Sequence, residues 1–285
     1  MRNVPMKRQI LLSFLLLGLS LTQTTFAGPR VVVSLPAIHS LVANIMQGVG
    51  EPRLLHDQDD HLANTLGPFQ KSEVLTADLI IWVGAGLEES LADMLESTPP
   101  LHDRTMTLSN TVPLLLKRNF DGIAASRKDS RDLRFWHDPK IAMMAVRQIT
   151  PTLVRLDPAN TERYLDNEIE LLKRIKQMSK EIASRFSTQI AIPERVATQF
   201  SQYFTNRFVI VTKDSSEAEG TAIKVSTNPV KHTCRHYPEQ TPQTANATNY
   251  YFEAMKKEAD GIQACSAQYT HGEVAKTRDR SSVSG

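Results

Sequence analysis

The chain has 285 residues, 33 lysines and arginines against 31 aspartates and glutamates, and a formal net charge of +2, with the two signs interspersed. That balance excludes the concentrated basic surface of a nucleic-acid binder. The length suits one large or two smaller globular lobes, and two cysteines outside any CxxC pair exclude a cysteine-rich metal cluster.

Met1 to Arg8 carries three basic residues and no acid. An apolar run, ILLSFLLLGLSL, follows over 10–21, and Thr25-Phe26-Ala27 before Gly28 has the small-x-small form of a cleavage site. The run is shorter than the roughly 20 residues a membrane span needs. It reads as a cleavable signal peptide, residues 1–27, with an uncleaved N-terminal anchor as the alternative. Export would make Cys234 and Cys265 natural disulfide partners. That bond would close a loop of some 30 residues, a constraint of roughly 3–4 kcal/mol.

In the mature chain, 30–35 (RVVVSL) is a β-branched run ended by Pro36, and 38–47 has helical apolar spacing closed by Gly48 and Gly50. The loop after residues 53–55 follows one such βα unit. The stretch from His56 to Glu88 then gathers His56, Asp57, Asp59, Asp60 and His61 in one loop ahead of a helix (70–77), a buried strand (79–83, LIIWV), a turn at Gly84-x-Gly86 and a further helix (87–96). Acids and imidazoles so concentrated offer the nitrogen and oxygen donors that zinc and manganese accept. A polar surface turn has the same composition. Gly84-x-Gly86 lacks the third glycine of a dinucleotide fingerprint. Strands without alternation, separated by helices, indicate an α/β fold with a mainly parallel sheet covered on both faces. In such sheets ligands bind beyond the carboxyl ends of the strands.

Asp138-Pro139 is an N-cap followed by a proline at the first helical position, so a helix starts there and runs toward Val154. From Asn160 to Phe186 apolar residues recur at helical spacing without a strict heptad. The segment reads as one helix of about 40 Å joining two lobes. Beyond it, 195–200 and 208–212 are candidate strands, 214–243 is polar and rich in breakers, and 250–265 is helical in pattern. The expected organisation is an N-terminal α/β lobe over 28–157, a linking helix over 158–187, and a shortened C-terminal lobe with a polar tail over 188–285. Trp82 and Trp136 read as core, and His39 as a satisfied, half-buried residue.

Several blocks together resemble the periplasmic metal-binding solute-binding proteins of ABC transporters, above all the zinc-uptake branch. They are VVVSLPAIHSLVANIMQGVGEPRLL, the Asp60-His61 step running into LGPFQKSEVLTADLIIWVGAGLE, DLRFWHDPKIA, the long helix, and the Thr233-Cys234 and Ala264-Cys265 pairs. The resemblance implies two lobes with mainly parallel sheets, joined by one long spine helix, with a divalent cation between them. It implies zinc, or manganese, as transported ligand, a membrane permease as partner, a monomer and no catalytic residues. His61, preceded by Asp60, matches the family's first metal-binding histidine. Arg134 stands where the second is expected, and Thr198 where the third is expected. The histidine-rich loop of the zinc branch and the carboxylate segment between its last cysteines have no counterpart. His137 is then either a substitute ligand beside His61 and Asp60 or a surface residue at a helix start. The sequence therefore supports a zinc carrier with an altered ligand set, against a degenerate paralogue acting as an accessory protein. An exported hydrolase lacks support, since no nucleophile elbow, HExxH or triad spacing is present.

Overall fold

The structure is a computed structural model that describes residues 28–55, 65–114, 132–186, 190–193, 208–211 and 246–263. Its first unit begins with strand β1 (Val31–Val33), helix α1 (Pro36–Ile45), strand β2 (Arg53–Leu54), helix α2 (Pro68–Thr76), strand β3 (Leu79–Trp82) and helix α3 (Glu89–Ser97). A 3-10 turn (Pro99–Arg104) then leads into strand β4 (Thr105–Thr107). The four strands form one parallel sheet in the order β2-β1-β3-β4. Because β2 lies on one side of β1 and β3 on the other, the connections reverse direction between β1 and β3, the switch point beyond whose strand carboxyl ends such sheets take ligands.

The sheet is covered on both faces, as the unbroken apolar strands predict. Val31, Val33, Leu79, Ile81 and Val83 point into a core with α1 and the later helices. Val32, Ile80 and Trp82 point the other way, onto Val74 of α2 and Leu91, Ala92 and Leu95 of α3. Period-two side-chain direction thus splits β1 and β3 between two cores. Gly84, in the turn after β3, has φ of +147°, and a Cβ there would come within 2.6 Å of Ser109 Oγ. Gly84→Ala should therefore lower stability by about 1–3 kcal/mol, read as a shifted urea midpoint, with an unchanged midpoint counting against the strained turn.

Helix α4 (Pro139–Leu156) starts as expected, with Asp138 Oδ1 accepting from the amides of Lys140 and Ile141. Helix α5 (Thr161–Arg185) is the long helix, and buries Tyr164, Leu171, Ile175, Met178 and Ile182 against the first core. Strands β5 (Ile190–Pro193) and β6 (Phe208–Val211) pair in parallel in a second sheet. Among the described residues no helix is long and apolar enough to cross a membrane.

The chain then returns to its first unit. Residues 250–263 form helix α6, whose Tyr251, Phe252, Met255, Ala259 and Ile262 enter the same core as β1 and α1. The Tyr251 amide donates to Ser40 Oγ at 3.1 Å, and the Tyr251 hydroxyl donates to the Trp136 carbonyl at 3.0 Å. Arg174 of α5 donates to Asn44 Oδ1 at 2.6 Å and to Asn249 Oδ1 at 3.0 Å, while its guanidinium sits 4.1 Å from the Phe252 ring centroid. One cation thus ties α1, α5 and α6 together.

Candidate metal centre

The whole acidic loop with His56, Asp57, Asp59, Asp60 and His61, and the disulfide partners Cys234 and Cys265, lie outside the described residues. Thr198 lies outside them too. Among the described residues no group of three His, Cys, Asp or Glu side chains is placed to hold a metal. What the structure does place is the second block, 133–138, and the carboxyl edge of the first sheet.

In that block the chain makes a 3-10 turn (Phe135–His137) ahead of α4. Leu133, Phe135 and Trp136 are buried, which confirms Trp136 as core, as Trp82 is in β3. Arg134 is the outward residue. Its side chain is 46% exposed, its Nε lies 3.9 Å from Asp132 Oδ1, and its amide donates to the same oxygen at 3.1 Å. Arg134 itself has φ −81° and ψ 50°, outside the helical region, so the turn that follows carries His137 inward while Arg134 stays at the surface.

His137 is not the surface residue that one of the two sequence readings allowed. It is buried, its ring stacks on Trp136 with centroids 5.7 Å apart, and Nδ1 lies 2.5 Å from Glu258 Oε2 on α6. A carboxylate can only accept, so the imidazole donates from Nδ1. A carboxylate on one ring nitrogen fixes tautomer and orientation, the arrangement that metal-ligating histidines commonly have on the side away from the cation. His39 matches its expectation: half-buried, it donates from Nε2 to the Pro52 carbonyl at 2.9 Å, and burial lowers its pKa.

The carboxyl edge of the sheet holds a group that sequence reasoning missed. Glu88, the residue before α3, folds back under the turn so that Oε2 accepts from the amides of Val83 (2.7 Å) and Gly84 (2.9 Å). The residue is only 3% exposed, and burial raises its pKa from 4.5 to about 7, against the lowering effect of Ser34 and the two amides. Oε1 and the hydroxyl of Ser34, which follows β1 and is 1% exposed, are both buried and make no hydrogen bond, although the hydroxyl is close enough to favour the charged carboxylate. An acid next to a Gly-x-Gly turn after a buried strand was the available signal. Glu258 offered none, because its partner is 121 residues away.

Residues 31–228, more than half of the chain, match the family described as the periplasmic component A of the zinc-uptake complex, ZnuA. The chain belongs to that family. It is 23% identical over 224 residues to the high-affinity zinc uptake system protein ZnuA of Brucella abortus (strain 2308), a match covering 65% of this chain and 67% of that protein. Among solved structures, the periplasmic zinc-binding protein TroA of Treponema pallidum matches with a TM-score of 0.60 and 16% identity, over 84% of this chain and 99% of that one. A manganese-bound point mutant of a periplasmic metal-binding protein from Candidatus Liberibacter asiaticus matches with a TM-score of 0.57 and 15% identity, over 82% and 99%. These likenesses establish the α/β fold of two-lobed metal-binding proteins. ZnuA-family membership marks a solute-binding transport protein rather than an enzyme class.

Proposed function

We propose that this ZnuA-family chain is the periplasmic solute-binding component of a zinc ABC import system, taking the cation between two lobes and handing it to the membrane permease. The family match over 31–228 carries this reading. Manganese is the second cation to consider, since one structural relative is a manganese-bound protein. The finer parts of the reading are a signal peptide over 1–27, a Cys234–Cys265 disulfide, a monomer, and an N-terminal lobe over 28–157 to which α6 also returns, linked by 158–187 to the rest of the chain.

For the ligands, the reading takes His61 and Asp60 from the acidic loop and His137 from the turn before α4. The Glu258 carboxylate on Nδ1 supports the last of these, because it makes Nε2 the ring atom a cation would use. The altered ligand set is the weakness of this reading, and the buried His137–Glu258 pair is what supports a site rebuilt from the family plan. Loss of metal binding altogether is the opposite outcome of the same experiment.

Zinc and manganese titration calorimetry on the metal-stripped chain from Gly28 tests this. Submicromolar zinc binding is expected, and His61→Ala should abolish it. No heat from either metal would assign the chain to an accessory role, and an unchanged affinity in His61→Ala would remove the acidic loop from the site.

A further inference from the structure

We propose that Glu88 and Ser34 form a buried proton-binding site at the β1/β3 switch point of the first sheet, and that a cation bound at that edge drives the proton out. The coupling rests on the cation-carrier reading, whereas the proton site itself does not. The position is the first argument. Ser34 follows β1 and the Val83–Gly84 turn follows β3, the two strands between which the connections reverse, so the pair lies at the edge where such sheets take ligands.

The hydrogen-bond inventory is the second. Oε2 of Glu88 is used by two amides, while Oε1 and Ser34 Oγ are enclosed without partners. A proton on Oε1 can be donated to Ser34 Oγ, which satisfies both atoms. When that proton leaves, the serine hydroxyl can turn and donate its own hydrogen to Oε1, because a hydroxyl both donates and accepts. Either protonation state is thus served by a rotation of one side chain, with both amide bonds to Oε2 kept.

The electrostatic surroundings are the third. Glu88 faces the Ser34 hydroxyl from β1 and the amides of Val83 and Gly84 from the β3 turn, and no charged side chain among the described residues acts on it. Burial is the dominant influence and holds the group near neutral pH, so a modest field is enough to change its state. A dication is such a field. It favours the carboxylate, and by reciprocity the carboxylate favours the dication: one proton passes from Oε1 to solvent as one cation enters. Cation affinity should then rise with pH through the interval in which the metal-free protein still holds that proton, and level off above it.

The test begins with carbon-13 NMR of the Glu88 carboxyl carbon in the metal-free protein. A midpoint near neutral pH is expected, moving upward in Ser34→Ala as the ionised form loses its donor. A midpoint in the ordinary carboxylate range would overturn the proton site, and this observation on the unaltered chain does not depend on any variant folding. Zinc loading should then lower the midpoint by about one pH unit, equivalent to an affinity about tenfold greater once the proton has gone. Calorimetry in buffers of different ionisation enthalpy should show fewer protons released on zinc binding by Glu88→Gln. Zinc binding with an unmoved Glu88 midpoint, or equal proton release in a folded Glu88→Gln, would overturn the coupling. Absence of any zinc binding would instead overturn the carrier reading and the coupling with it, leaving the proton site decided by the metal-free titration.

Discussion

Replacing Tyr251 by alanine should destabilise the protein by about 3–5 kcal/mol, the range for truncating a buried aromatic. The side chain is 0% exposed and packs in the main core beside Phe252, with ring centroids 5.6 Å apart. Its hydroxyl is also a donor to the Trp136 carbonyl, just ahead of His137. Truncation leaves a cavity and removes that donor from a buried carbonyl. Tyr251→Phe separates the two effects: it keeps the ring and should cost about 1 kcal/mol. Urea unfolding followed by tryptophan fluorescence measures both, since Trp136 lies at the contact. An alanine variant as stable as the parent would mean that α6 does not dock on the first unit.

The second large effect concerns Arg134. A guanidinium stays protonated in proteins, and at about 4 Å and an effective dielectric near 20 it repels a unit charge by roughly 4 kcal/mol, and a dication by about twice that. A cation site of the family plan could not hold zinc against such a term. In the structure Arg134 is 46% exposed and leans toward Asp132, so water and a carboxylate screen its charge. The remaining penalty is smaller, and Arg134→His should raise zinc affinity by about tenfold or more, since every 1.4 kcal/mol is a factor of ten. Arg134→Ala removes the charge without adding a donor, so its gain measures repulsion alone and the excess in Arg134→His measures ligation. Calorimetry reads both. Equal affinity in all three proteins would place Arg134 beyond the cation's field.

The parts of the fold that were legible in the sequence are those in which local pattern and burial agree. The RVVVSL and LIIWV runs became β1 and β3, Asp138-Pro139 opened α4, and 160–186 became one helix, because each combines apolar content with a capping or breaking residue. Strand β4 was missed. Thr105–Thr107 is three half-buried residues between two 3-10 turns, and it is a strand only because the edge of β3 offers hydrogen bonds to Thr105, Met106 and Thr107. The site divided in the same way. His137 stood out by residue type, but its burial against Trp136 and Glu258 depends on a helix far away in the chain. Glu88 was passed over because its one local signal, an acid beside the Gly-x-Gly turn after a buried strand, fits the start of a solvated helix equally well.

The return of α6 to the first unit also constrains the order of folding. The bond from Tyr251 to Ser40 spans 211 positions, and that from Asn44 to Thr248 spans 204. A chain that emerges amino terminus first can assemble β1, α1 and β3 early, yet the face of α1 that receives Tyr251 stays open until residue 251 has appeared. Closing contacts of such separation is slow, since the loop entropy comes before the contacts that reward it. The first unit therefore stays unfinished until α6 arrives, and through that interval its apolar face is what a chaperone or a protease would meet.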